Sequence, residues 1–485
     1  MRFRPILAAL LCALLVPATA LAQEQSANDY SDPEYARHDV DNYTRGRGQV
    51  YERAARPEYH QAFVGAAADS MLRAAAKQVN DARYGRAYGG FSHYVATYGA
   101  TGDPEIYFDL EPRRVHFLSR TGAKLQGHIW GAEDAGRRPG VVITPGSIQG
   151  TDQMYWWAAH ALARAGYTVM TFDAQGQGQS ETFGHAPGSP APTGDGVPFQ
   201  QEQNFVDGTI DALRFFLSTP KNPYVPTGWS KQDVAAARAA ATDERMDWLN
   251  PGHAHLDRDH LGIAGHSLGA RAVSVVQQCS DRGTVWRDVE ACHGQSFPIK
   301  AVVGWDSLSA NGVTPVVPGM DQQADGYFLS PTLAPQAPDP ESSLEAYTGW
   351  REAGLDTHLT VVRAGTHLEW SHVPYHGPAT RYGDELAAWY TVAWMDRFVH
   401  PSGSVNRDGF QALTEGLAGE PENPWSANHL SARHLSAMTL RQPGAEAGKP
   451  AVDVVDLREW AGRSKVGDWA GANADTVGRE VPPSW

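Results

Sequence analysis

Residues 261–276 read LGIAGHSLGARAVSVV, an apolar run followed at once by a stretch with helical periodicity. The run LGIAG is typical of a buried strand, and the residues from Ser267 onward are typical of a helix. Gly265 and Gly269 flank the serine. A sharp strand-to-helix turn needs such small neighbours, because bulky side chains leave the backbone no room. The stretch therefore predicts a serine presented on a tight turn at the end of a strand.

Strand and helix patterns alternate over much of the remaining chain. The runs VHFLS and KLQGHIWGA, separated by RTGA, predict a hairpin. Further buried strands are predicted at GVVITPG, YTVMTFD, KAVVGWD and HLTVVRAG. Helical patterns lie near residues 151–166, 205–217, 344–353 and 384–399. Since such alternation favours parallel pairing with right-handed crossovers, the predicted fold class is α/β, with a mostly parallel, doubly wound sheet and helices on both faces.

The first 22 residues have the pattern of a secretory signal peptide. Arg2 and Arg4 precede an apolar stretch at 6–16, and small residues end at Ala22, where we expect cleavage. The apolar stretch is too short to span a bilayer of about 30 Å. We therefore expect a protein exported to the periplasm or the medium, without a membrane anchor.

The charge of the chain excludes some classes of partner. The sequence has 55 acidic and 40 basic side chains, a formal net charge of −15. No basic cluster is present that could neutralise phosphates, so neither nucleic acid nor an anionic membrane is an expected partner. The charge sets no limit on a neutral substrate.

Two of the three cysteines lie outside the predicted signal peptide, at Cys279 and Cys292. In an oxidising compartment such a pair predicts a disulfide that closes a short loop. The alternative is two free, buried thiols. Neither cysteine has the neighbours of a zinc site.

A serine hydroxyl becomes a nucleophile when a base removes its proton and a carboxylate orients that base. The base is expected at the tip of the last predicted strand, where His367 follows VVRAG directly. His372 and His376 lie further into the loop, and His358 begins the strand at its other end. We therefore predict His367 as the base.

The carboxylate is expected after a strand that lies between Ser267 and His367 in the chain. Its candidates are Asp306, Asp321, Asp325 and Asp356. Asp356 precedes the last strand and is expected at the opposite edge of the sheet. Asp325 follows the predicted seventh strand, the more usual location, so we predict Asp325, with Asp306 after the sixth strand as the alternative. The seventh strand is poorly marked, because it contains prolines.

Attack on a carbonyl places negative charge on its oxygen, which backbone N–H groups must receive. One predicted donor is the amide of Leu268, at the start of the helix. The other is expected in the loop after GVVITPG, at Ser147 or Ile148.

Aromatic residues cluster near these predicted elements and can pack against an apolar acyl group. Tyr155 stands in the run Tyr-Trp-Trp after the first loop, Trp305 ends the sixth strand, and Trp370 follows His367. We predict that Trp305, Trp370 and Tyr155 line a substrate pocket.

The motifs GHSLG, VVITPG, DAQGQGQS and the late GTH together resemble the α/β-hydrolase superfamily over residues 114–400. PGS followed by GHSLG further resembles the secreted cutinase-like and polyester-hydrolase group. The resemblance implies a serine esterase or lipase that acts on a small-molecule or polymeric ester through a Ser-His-Asp triad and an acyl-enzyme, with no cofactor. A peptidase, an amidase, a haloperoxidase and a non-catalytic binding protein of the same fold are the alternatives.

The predicted domain plan centres on a catalytic domain at residues 114–400. A partly helical extension, 23–113, precedes it, and a second extension, 401–485, follows it. Segments 182–203 and 219–258 interrupt the alternation as insertions. Both lead toward the carboxyl edge of the sheet, so we expect them to wall or cover the site.

Two motifs suggest other chemistry. HAHLDRDH at residues 253–260 resembles a metal-binding run, and its ligands would be His253, His255, Asp257 and His260. The spacing departs from that of such runs, so we predict a polar turn entering the strand, with Asp257 or Asp259 bonded to nearby backbone, and no metal. GQGQS lacks the third glycine of a dinucleotide fingerprint and predicts a tight turn under the site.

Overall fold

The strand that leads to Ser267 lies in the middle of a ten-stranded sheet with the order β1-β2-β4-β3-β5-β6-β7-β8-β9-β10. The strands are β1 Arg113–Leu118, β2 Lys124–Trp130, β3 Arg138–Thr144, β4 Thr168–Phe172, β5 Leu256–His266, β6 Ile299–Trp305, β7 Gly319–Gln323, β8 Thr357–Val361, β9 Ala437–Leu440 and β10 Val452–Val454. The computed structural model describes residues 110, 112–131, 136–147, 152–181, 183–189, 202–240, 246–306, 308–324, 343–362, 365–367, 369–371, 383–414, 437–445 and 448–454.

The six central strands, β4-β3-β5-β6-β7-β8, are mutually parallel, and the pairs at both edges are antiparallel. The predicted first hairpin is confirmed, with Val115 opposite Gly127. The weakly marked strand β7 begins directly after Pro318, whose carbonyl accepts the amide of Val302 on β6 but which has no N–H to donate to a neighbouring strand. The predicted α/β class with a mostly parallel sheet is confirmed.

Seven helices are described: α1 Trp156–Arg164, α2 Glu202–Phe216, α3 Lys231–Ala240, α4 Leu268–Val276, α5 Leu344–Glu352, α6 Gly383–Phe398 and α7 Gly403–Thr414. They cover both faces of the sheet. Successive residues of β5 point to opposite faces: Ile263 packs in the cluster under α2, α4 and α5, and Ala264 in the cluster under α1 and α6. The predicted helices on both faces are thus confirmed.

The sheet continues beyond the predicted end of the central domain at residue 400. Strand β9 pairs with β8, placing Thr439 opposite Thr357, and β10 pairs with β9. These strands have only four and three residues, and such short runs between polar segments give almost no periodic signal. Part of the predicted C-terminal extension therefore belongs to the sheet.

The insertion at 219–258 contacts the outer strand β1. The Tyr224 hydroxyl donates to the carbonyl of Leu118 at 2.6 Å, and the amide of Asp247 donates to the carbonyl of His116 at 2.7 Å. Its helix α3 has no buried residue. In the order of the sheet, β1 lies four places from β5, so these contacts of the insertion are distant from the strand that leads to Ser267.

A disulfide joins Cys279 to Cys292, both buried, and confirms the predicted pairing. It links the end of α4 to a short helical turn before β6. The predicted signal peptide and nearly all of the N-terminal extension lie outside the described residues. Within the described part of the chain, no helix is both long and apolar enough to cross a membrane.

Candidate active site

Ser267 lies between β5 and α4 in a backbone conformation that residues other than glycine rarely adopt, with φ 55° and ψ −123°. The flanking glycines make this turn possible. A Cβ on Gly265 would lie 2.3 Å from the carbonyl oxygen of Gly269, and a Cβ on Gly269 would lie 2.3 Å from that of Pro145. The predicted tight turn is confirmed, and its steric reason is the close approach of three backbone segments.

His367 and Asp306 form a hydrogen-bonded row with this serine. The Nε2 atom of His367 lies 3.0 Å from Ser267 Oγ, and its Nδ1 atom contacts Oδ2 of Asp306. A carboxylate only accepts, so Nδ1 carries the proton and, in the neutral ring, Nε2 accepts from the serine hydroxyl. A base, its orienting carboxylate and a nucleophile are therefore aligned.

The parallel sheet brings these groups together because the carboxyl ends of its strands share one edge. The Ser267 amide donates to the carbonyl of Trp305 at the end of β6, 3.0 Å away. Asp306 follows Trp305 with φ 53°, and its amide donates to the carbonyl of Gln322 on β7. The amide of Ala324 donates to Asp306 Oδ1 at 2.9 Å and fixes the carboxylate.

Among the residues that the structure describes, the carboxylate beside His367 is the alternative candidate, Asp306. Asp325 lies outside the described residues. Asp321 is buried within β7, and Asp356 pairs with Arg441 at 2.8 Å. The left-handed conformation of Asp306, which sequence patterns do not reveal, turns its carboxylate along the edge of the sheet. The structure therefore places the alternative candidate, Asp306, beside His367, while Asp325 as the partner stays a prediction.

The charge state of Asp306 follows from two opposed effects. Burial by itself would raise the pKa of this carboxyl, but the charge of His367 and its hydrogen bond outweigh burial and hold the pKa below its ordinary value. Asp306 thus stays ionised near neutral pH, as an orienting carboxylate must.

The loop after β3 is held on both sides at Gly146. Its amide donates to the hydroxyl of Tyr155 at 2.8 Å, and its carbonyl accepts from the side-chain amide of Gln177 at 2.9 Å. The Gly146 N–H is thus used, which leaves Ser147 as the first amide of the loop for an oxyanion. The other predicted donor, Leu268, is the first residue of α4, where no carbonyl of the helix can accept its N–H.

The aromatic residues predicted to line a pocket are core residues instead. Trp305 and Trp370 are 0% exposed and Tyr155 is 1% exposed. The indole N–H of Trp305 donates to the hydroxyl of Thr391, and that of Trp370 donates to the side-chain carbonyl of Gln322. Trp305 and Trp370 do lie close to Asp306 and His367 in sequence, but their side chains are buried in the core. The pocket prediction is wrong for all three.

The loop DAQGQGQS after β4 forms the tight turn that its glycines predict. Asp173 anchors it: Oδ1 accepts the amide of Asp152 at 2.8 Å, and Oδ2 accepts that of Gln179 at 2.7 Å. Burial, followed by the charge of Asp152, raises the pKa of Asp173 to about 7. The turn carries Gln177, whose contact with the Gly146 carbonyl the sequence did not reveal.

His266 is a second residue that sequence reasoning overlooked. It precedes Ser267 and is buried, with Tyr155 on one ring nitrogen and the carbonyl of His367 on the other. Burial and the neighbouring His367 lower the pKa of His266 to about 3, so its ring is neutral. The available signal was a lone polar residue at the end of an apolar strand, directly before the serine.

The histidine-rich approach to β5 makes local bonds. His260 Nδ1 lies 2.9 Å from Asp257 Oδ2, and the amide of Asp259 donates to Asp257 Oδ1 at 3.0 Å. The predicted bond to nearby backbone is confirmed, and the predicted turn is present at residues 253–255, after which the run continues as the first part of β5. Among the residues that the structure describes, no group of three or more His, Cys, Asp or Glu is placed to hold a metal ion.

Neither the known protein-family models nor the curated proteins include a match to this chain.

Proposed function

We propose that this chain is a serine hydrolase of the α/β-hydrolase type that cleaves carboxylic esters. The observation that carries the proposal is the row Asp306–His367–Ser267, with the serine on a strained turn at the start of a helix. Backbone strain of this kind concentrates at functional sites. The preference for esters over amides rests on the resemblance of the motifs to esterases and lipases.

The proposed reaction is a two-step acyl transfer. His367 takes the proton of Ser267, whose oxygen attacks the ester carbonyl. The amides of Leu268 and Ser147 then receive the negative charge on the carbonyl oxygen. The protonated His367, stabilised by ionised Asp306, gives its proton to the leaving alcohol. Water, activated by His367, releases the acid from the acyl-enzyme by the same route.

The lid proposal is kept for the segment 182–203, because it leads from the edge of the sheet to a contact with the helix that begins beside Ser267. The segment follows the turn that carries Gln177, which bonds to Gly146 in the oxyanion loop. At its other end, Glu202 lies 3.7 Å from Arg271 in the first turn of α4. At its start, Gly184 packs against the backbone of Thr121 and Ala123 in the turn between β1 and β2. A segment that connects this turn with the start of α4 can cover the site.

Deleting residues 185–198 tests this lid. The proposal expects a changed preference between short and long acyl chains, with Ser267 still reactive. An unchanged substrate profile would remove the lid.

Export is also proposed, with residues 1–22 removed as a signal peptide. The disulfide between Cys279 and Cys292 supports it, because such bonds persist in oxidising compartments. The N-terminal sequence of the mature protein is expected to begin at Gln23. A protein that keeps residues 1–22 after expression in a secreting host would contradict export.

A panel of substrates tests the function. We expect hydrolysis of p-nitrophenyl esters of short, long or aromatic acids, and no activity in Ser267→Ala. Ser274→Ala is the matched control, because Ser274 lies in the same helix but donates to the carbonyl of Ala270. Activity toward peptide anilides alone would favour the amidase alternative. Ester hydrolysis that survives Ser267→Ala would overturn the proposal.

A further inference from the structure

His266 joins three backbone segments that the proposed chemistry must hold together. It is itself part of the turn that carries Ser267. One ring nitrogen, Nε2, lies 2.8 Å from the carbonyl oxygen of His367, and the other, Nδ1, lies 2.9 Å from the hydroxyl of Tyr155. That hydroxyl in turn accepts the amide of Gly146 at 2.8 Å. A single side chain thus directly contacts the loop that carries His367, here called the base loop. Through the hydroxyl of Tyr155 it also contacts the loop that carries Gly146, the oxyanion loop.

The donor and the acceptor of each hydrogen bond in this relay from His367 to Gly146 can be assigned. A carbonyl oxygen only accepts, so Nε2 of His266 carries the proton and donates to His367. In the neutral ring Nδ1 is then an acceptor, and it receives the hydroxyl proton of Tyr155. The hydroxyl oxygen of Tyr155 accepts the N–H of Gly146. Three donors and three acceptors are paired, with none left over.

We propose that His266, acting with Tyr155, is a positioning residue that holds the base loop at His367 and the oxyanion loop at Gly146 in fixed positions relative to Ser267. The inference rests on the proposed hydrolase function and extends it to a residue outside the row of Ser267, His367 and Asp306.

The relay works with one protonation state only. A protonated His266 would lose its acceptor for Tyr155 and would place a positive charge beside the ring of His367, whose centroid is 4.8 Å away. The lowered pKa of His266, caused by burial and by His367, keeps the ring neutral throughout the working range of such an enzyme. Burial likewise raises the pKa of Tyr155, which therefore keeps its hydroxyl proton.

These relative positions matter because acyl transfer depends on short distances between the reacting groups. A displacement of about 1 Å at a reacting group can cost about 100-fold in rate. Loss of the relay frees the carbonyl of His367 and the amide of Gly146 to move separately. The expected defect is therefore in kcat, with KM unchanged, since neither His266 nor Tyr155 is exposed to a substrate.

Three variants separate the links of the relay. His266→Asn places an amide near the position of Nδ1 and leaves nothing to reach the carbonyl of His367. His266→Gln places an amide near Nε2 and keeps that link while losing the one to Tyr155. Tyr155→Phe removes the hydroxyl and leaves the shape of the ring. His358→Gln is the matched control, because His358 is also a buried histidine in contact with an aromatic ring, that of Tyr390, near the start of β8 and so at the opposite edge of the sheet.

The measurements are kcat and KM for an ester, the rate at which a fluorophosphonate labels Ser267, and Tm. We expect His266→Asn to lower kcat and the labelling rate by about 10- to 100-fold without changing KM. His266→Gln is expected to lose less, since it retains the bond to His367. In a double-variant cycle, Tyr155→Phe is expected to cost less in the His266→Gln background than alone, because the shared link is already broken.

The inference is overturned if His266→Asn keeps the wild-type kcat, or if His358→Gln with the same loss of Tm loses the same activity. If His266→Asn does not fold, Tyr155→Phe decides, with a wild-type kcat again overturning the inference. A wild-type protein that neither hydrolyses esters nor labels at Ser267 would overturn the proposed function and the relay together. An active, labelled wild type with unaffected variants would overturn the relay alone.

Discussion

Replacing Asp306 by asparagine changes one atom of the site and reverses the polarity of its contact with His367. Oδ1 of Asp306 accepts the amide of Ala324 at 2.9 Å, and Oδ2 faces Nδ1 of His367. In Asp306→Asn the side-chain oxygen is held by the Ala324 amide, since a second N–H there would be repelled. The side-chain NH₂ therefore faces His367, which must accept at Nδ1 and carry its proton at Nε2.

The cost follows from this change of tautomer. With its proton at Nε2, His367 donates toward Ser267 and cannot take the hydroxyl proton. Loss of the orienting carboxylate in a triad of this kind costs about 10⁴-fold in kcat, equivalent to about 5 kcal/mol in the activation free energy. We expect a loss of this size in Asp306→Asn, with KM unchanged because Asp306 does not extend to the substrate.

Stopped-flow kinetics with an activated ester measure kcat and KM, and Asp325→Asn supplies the comparison. Asp325 is the carboxylate that the sequence favours, so the two variants test the two assignments side by side. We expect Asp325→Asn to keep near wild-type kcat. An Asp306→Asn enzyme within about tenfold of wild type, or a greater loss in Asp325→Asn, would refute the reasoning from geometry.

Three further outcomes follow from the fold and the site. Replacing Cys279 and Cys292 together by alanine removes a cross-link over 13 positions and should lower the free energy of unfolding by about 3 kcal/mol in a urea titration; an unchanged value would contradict it. Gly269→Ala places a Cβ 2.3 Å from the Pro145 carbonyl oxygen, so activity should fall about 100-fold while the circular dichroism spectrum is retained; full activity would refute the tight turn. The pKa of Asp173 is raised from 3.8 to about 7, so between these values the folded state binds more protons than the unfolded state. The contribution of Asp173 to stability is therefore complete below pH 4 and is lost as pH rises through 7. Asp173→Asn should flatten that fall in Tm, and an unaltered pH dependence of Tm would contradict this reasoning.

The sequence predicts much of the fold because alternating strands and helices leave strong periodic signals. The stretch around Ser267 predicts its own turn, since Gly265 and Gly269 are required by contacts with backbone. The strands β9 and β10 escape notice because three or four residues carry no usable period. Their place in the sheet depends on pairing with β8, which is a contact distant in sequence.

The site is predictable where a residue's role follows from its place in the strand order, as for His367 after β8. It is not predictable where a role depends on local backbone conformation, as for Asp306 with its positive φ. Trp305 and Trp370 show a related limit. Proximity in sequence to the site does not distinguish an aromatic residue that faces a substrate from one that supports the site from the core.

The central claim is that Ser267 is an activated nucleophile, and mapping the site of a fluorophosphonate adduct tests it most directly. The full-length protein is treated with the probe, digested and sequenced by tandem mass spectrometry. We predict one adduct per chain, on Ser267, that forms in the wild type and not after heat unfolding or in Ser267→Ala. A folded wild-type protein that carries no adduct, or carries it on a different residue, would contradict the account.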